Sequence, residues 1–246
     1  MNKLLIILIL AIAGVTDIMG QSGTVRRQFY MESCRANKDV DTCTVTLYIN
    51  NGIFNGAEFI MPCSKEKYLV RATMDSDTPA WYNGQKKLPE QLNAFIDELL
   101  FIKQKYMEWS AVAKENKVTS YKKEIKVFEK SPVLSLSIYK GEDKYYQENN
   151  YKVPYIWKSS PIFSVDASGK CHTFFGWVNM RFERTKGYKE GFLYSTPLKE
   201  SIVVSQFSFQ FNTVEQIQSL LDALNVETAN SMLDKNNNKD LDKLFQ

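Results

Sequence analysis

Thr213 to Leu224, TVEQIQSLLDAL, restates a stretch that the chain has already written at Leu88 to Leu99, LPEQLNAFIDEL. Glu90/Glu215, Gln91/Gln216, Asp97/Asp222 and Leu99/Leu224 are identical pairs, and Leu92/Ile217, Phe95/Leu220 and Ile96/Leu221 match in kind. In the later copy Val214, Ile217, Leu221 and Leu224 recur at steps of three and four, which gathers them on one helical face. Glu215, Gln218 and Asp222 take the other face. Thr213 with Gln216 has the form of a capping box, and Pro89 suits a first helical position, where a missing amide is harmless. Both copies therefore read as amphipathic helix starts, each needing a surface on which to bury its stripe.

Two origins fit this likeness. One is internal duplication, giving β-rich halves over 21–117 and 118–233 that each end in a helix; the other is convergence of two ordinary helix starts. Cys43 and Cys171 each open an apolar, strand-like run ahead of their helix, which leans toward duplication. The first helix is predicted to continue to about residue 114. Leu88, Leu92, Phe95, Leu99, Ile102, Tyr106, Trp109 and Ala113 follow at steps of four and three, with Leu100, Phe101 and Met107 widening the stripe. The same spacing permits a coiled-coil seam and hence a homodimer.

Outside the helices the apolar period falls to two. Cys43, Val45, Leu47 and Ile49 alternate with Thr44, Thr46 and Tyr48, and Asn51-Gly52 or Asn55-Gly56 supplies a tight hairpin turn before strands over 57–62 and 68–74. Leu134, Leu136 and Ile138 alternate with serines and Tyr139, whereas Gly141 to Lys152 reads as a polar loop or hairpin end. Thr173 to Phe182 reads as a strand covered on both faces, and Ser201 to Phe211 as a two-faced strand running straight into the 213–224 helix. The expected class is α+β: a mainly antiparallel sheet carrying one long helix (about 88–114) and one shorter C-terminal helix (about 213–224).

Residues 1–20 have the form of a secretory signal peptide, with Lys3 ahead of the apolar run Leu4 to Ala13 and cleavage near Gly20. The run is short of the ~20 residues of a spanning helix, so the reading is an exported, periplasmic or secreted chain without stable membrane insertion, an uncleaved anchor being the alternative. The net charge of +3 implies no nucleic-acid surface. The lysines of Tyr121 to Lys130 are interleaved with Glu124 and Glu129, as on the solvated face of a strand.

Four cysteines in an exported chain predict two disulfides. Cys34 with Cys43 and Cys63 with Cys171 is the favoured pairing, and Cys43 with Cys63 its rival. Asp234, Asn236, Asn238, Asp240 and Asp242 alternate like calcium ligands, but Lys239 and Phe245 stand where the turn glycine and bidentate glutamate belong. A frayed polar tail over 234–246 is the better reading, and no metal or cofactor is implied.

His172 is the sole histidine, so serine- or cysteine-type catalysis has one base available, and that base sits at a strand end. Paired carboxylates remain a route to glycan hydrolysis. The most informative departure between the copies is Asp75 to Lys87, DSDTPAWYNGQKK, inserted ahead of the first helix. Trp81 and Tyr82 there are rings that either fold back over an exposed patch of the sheet, the favoured reading, or stack on a sugar or anchor a protein partner. The function these features favour is a non-catalytic exported binding or interaction protein. The alternatives are a carboxylate-dependent glycan hydrolase and a structural envelope component assembling through the long helix.

Overall fold

The computed structural model describes residues 22–33, 39–62, 69–74, 87–126, 134–140, 143–147, 161–190 and 195–244. In chain order these form β1 (Gly23–Glu32), β2 (Val40–Asn50), β3 (Ile53–Pro62), β4 (Leu69–Met74), α1 (Leu88–Glu115), β5 (Tyr121–Glu124) and β6 (Ser135–Lys140). There follow β7 (Asp143–Gln147), β8 (Ile162–Val165), β9 (Cys171–Lys189), β10 (Thr196–Phe211), α2 (Val214–Ala223) and α3 (Val226–Leu244). The architecture is α+β. One antiparallel sheet runs β1-β2-β3-β4-β6-β7-β9-β8-β5. Phe174 pairs with both Ile162 and Gln210, so β10 lies along the edge of β9 opposite β7 and β8.

Local chemistry sets these elements where the sequence places them. Cys43, Val45, Leu47 and Ile49 are buried, as the two-residue period requires. Asn51 (φ 50°) and Gly52 (φ 74°) make the primed turn into β3. Gly56 sits at φ 146°, where an added Cβ would also meet the Met74 carbonyl at 3.0 Å, so this bend in β3 needs glycine. The capping box forms: the Thr213 hydroxyl accepts from the Gln216 amide, and the Gln216 side chain reaches back to the amide of Asn212 (2.8 Å).

Both helices bury their stripes in one hydrophobic core with the sheet. At its centre Phe209 lies within ring-contact distance of Phe29, Phe59, Phe95 and Phe175, with centroids 6.3, 5.9, 6.3 and 4.9 Å away. These rings come from β1, β3, α1, β9 and β10, strands far apart in the sheet order, so the sheet curls around α1 until β1 approaches β10. α2 fills the seam between those two strands. It packs along β1 and α1, and its Ser219 hydroxyl accepts from the outward amide of Tyr30 (3.0 Å). An edge that would otherwise present a bare donor is thereby covered.

Several expectations are corrected. Leu100 and Met107 are 49% and 52% exposed and do not widen the α1 stripe; each lies one helical step off the row that meets the sheet. That row is buried within the chain's own core, so the heptad spacing serves folding. Residues 143–147, inside the expected loop, form β7 because β6 and β9 offer it partners on both sides. The frayed tail is instead α3, started by the Asn225 side chain accepting from the Thr228 amide (2.8 Å). It is held by buried Ala229 and Leu233 and by Asn230 donating to the Gly52 carbonyl (2.9 Å). The stretch 234–242 therefore belongs to a helix and not to a loop.

Candidate functional site

The clearest binding feature lies where α1 ends. Its stripe continues through Tyr106, Trp109 and Ala113, and the chain then leaves through Lys117 and Ser120, both at positive φ. Val118 returns its amide to the Ala113 carbonyl (2.9 Å). β5 follows, paired with β8 so that Lys123 lies opposite Phe163. Between helix end and strand pair is a half-open groove of about 230 Å³. Phe163 and Ala113 form its floor, Trp109, Val112 and Val118 its walls, and Tyr121 and Lys123 its rim. Strand alternation sends Lys122 and Glu124 to the opposite face. The Trp109 ring stands edge-on to Phe163 (5.6 Å, 79°), and the Lys123 ammonium lies 4.4 Å from the Trp109 centroid, a cation–π contact.

One turn deeper, the Tyr106 hydroxyl donates to the Asn212 carbonyl (2.5 Å) and lies 3.2 Å from that of Cys171. Burial, reinforced by the negative potential at Cys171, pushes its pKa up to about 12, so it acts as a fixed donor joining α1 to β9 and β10.

A second constellation closes the curled sheet. Glu32, at the end of β1, lies 2.6 Å from His172 Nδ1 and 3.2 Å from Lys170 Nζ, and Asp166 Oδ2 is 3.3 Å from His172 Nε2. The hydrogen bond to Glu32 holds His172 above its ordinary pKa against the opposing effect of burial. Burial alone would raise Glu32, but hydrogen bonds and charge from His172 and Lys170 bring it below the usual carboxylate value. Asp166 is held far below it, first by the Ser168 hydroxyl and the Lys170 amide (2.6 and 2.9 Å). The imidazole thus sits between two carboxylates, an arrangement that favours its protonated form. A glycosidase pair needs one carboxyl kept protonated near neutrality, and both of these are pushed the other way.

A third polar set lies on the sheet face away from the helices. Glu58 accepts from the Tyr48 hydroxyl (3.2 Å) and pairs with Arg71, which also donates to the Tyr139 hydroxyl (2.7 Å). This is one buried carboxylate with two donors, a cross-strand tie.

Of the residues singled out from sequence, Trp81, Tyr82, Cys34 and Cys63 lie outside the described residues. Cys43 is buried in the core with its thiol toward the Asp41 carbonyl (3.9 Å), and Cys171 is half-buried at the start of β9. Among the described residues no disulfide is formed. His172 is at a strand end, as expected, but its engagement by Glu32 and Asp166 was not foreseen. Nor was the groove: Trp109 reads as core and Lys123 as solvated strand, and only their juxtaposition across the 116–120 turn makes a site. Comparison with known proteins finds no matching family model, no matching curated protein and no matching solved structure.

Proposed function

We propose that this chain is a non-catalytic, exported binding protein whose ligand site is the groove between the last turns of α1 and the β5–β8 pair. The observation that carries this reading is an open apolar cavity walled by Trp109 at the end of α1. Its volume of about 230 Å³ exceeds the roughly 150 Å³ that suffices for benzene in an apolar cavity. Val112, 55% exposed at the mouth, and Tyr121, 44% exposed, leave apolar surface in water that a ligand would cover. The leader-like residues 1–20 support export. The cluster around His172 favours binding over hydrolysis, because both of its carboxyls are held below the usual carboxylate range and neither is suited to remain a proton donor.

The test is a fragment titration followed by NMR on wild type and Val112→Glu, a substitution at an exposed helical position that places a charge in the mouth. Aromatic and short acyl fragments should bind wild type and lose tenfold or more in the variant. Equal binding to both proteins, or none to either, would remove the groove as the site.

A further inference from the structure

Resting on that reading, we propose that the groove takes a small apolar carboxylate, a single aromatic ring or short acyl chain ending in an anion, with Lys123 as the group that receives the charge. Three observations support it. First, Lys123 is the one charged residue among the described residues of a lining otherwise aromatic and aliphatic, so a ligand's apolar body and its polar end have separate, defined places. Second, the Lys123 ammonium is positioned by the Trp109 face at 4.4 Å and is paired with no carboxylate of the described residues, which leaves its donors open to an incoming anion. Third, the surroundings are basic. Residues 114–126 hold Lys114, Lys117, Lys122, Lys123 and Lys126 against Glu115 and Glu124, a local excess equal to the +3 of the whole chain.

The negative end of α1 would oppose an anion here if its carbonyls were bare. Part of that end is capped, because the Ala113 and Lys114 carbonyls accept from the amides of Val118 and Lys117 at 2.9 and 3.3 Å. A ligand cation, in contrast, would have to displace Lys123 from Trp109.

The experiment compares three compounds of one shape by isothermal titration: phenylpropanoate, its neutral primary amide and the corresponding propylamine. Wild type should bind the acid at least tenfold tighter than the amide and the amine most weakly, and added salt should weaken the acid alone. Lys123→Gln should level acid and amide, and Lys123→Arg should keep the preference. Acid and amide binding wild type equally would overturn the role of Lys123 and leave the groove standing. No binding by any of the three, together with no binding in the fragment titration, would overturn the groove and this inference with it.

Discussion

Glu32 and His172 show most directly what single side chains contribute. Their partly buried contact joins the end of β1 to the β8–β9 turn across 140 residues of sequence, with Lys170 and Asp166 as the other charged groups facing it. His172 is raised above its ordinary 6.5, so its contribution to stability is complete below 6.5 and is lost as pH climbs through the raised folded value. Glu32 is lowered below its ordinary 4.5, so its contribution is complete above 4.5 and is lost as pH falls through the lowered folded value. The contact is therefore strongest between those two values. For about 1 kcal/mol, in a chain of this size, the melting temperature should drop about 2–4 °C through this contact alone as pH rises from 6.5 through the raised His172 value. His172→Gln or Glu32→Gln should remove that segment of the pH profile, and the double variant should add little to either single one. A profile identical in wild type and both variants would mean that the contact contributes nothing. His172 could be placed at a strand end from sequence, because strand ends are local. Its partner could not, because Glu32 is brought to it only by the curl of the whole sheet.

Elements were legible wherever their signals are local and periodic. The α1 stripe, the Thr213/Gln216 cap and the Asn51-Gly52 turn each concern neighbours within a few residues, and the structure places all three as their spacing requires. α3 was missed because Val226, Ala229 and Leu233 are thinly spread among Asn and Asp, and because Asn225 is read as a cap only once the helix is known. The groove was missed for a related reason: its walls belong to α1, β5 and β8, and the positive-φ turn at Lys117 and Ser120 that brings them together has no glycine to announce it. α2 offers the sharpest element-level test. Ser219 accepts from the Tyr30 amide and itself donates to the Gln216 carbonyl (2.7 Å), so it screens one donor of the β1 edge. Ser219→Ala should cost about 0.5–1.5 kcal/mol and selectively speed hydrogen exchange at Tyr30. Phe29, whose amide lies within the β1–β2 pairing, should keep its protection. Faster exchange along all of β1 would instead mean that α2 detaches as a unit.

At the scale of the molecule, the likeness between the two helix starts invites a picture of two halves, but the packing joins them through one aromatic centre. Phe59 and Phe95 from the first half meet Phe175 and Phe209 from the second, with Phe29 completing the group, and all five are buried together. Neither set of strands closes a core of its own, since α2 lies against β1 and α1 against β9. Removing the Phe209 ring should therefore cost as much as a core aromatic truncation usually does, about 3–5 kcal/mol, or roughly 6–20 °C in melting temperature. The loss should appear in both halves at once. Thermal unfolding followed at Trp109, a first-half probe, and at amides of β10 should give one coincident transition in wild type and one coincident, lower transition in Phe209→Ala. Ile53→Ala, at a position 61% exposed, should leave the midpoint within a degree or two. Were the halves independent, Phe209→Ala would lower the β10 transition and leave that of Trp109 where it was, and the shared core would then be a contact between two domains and no longer the reason either one folds.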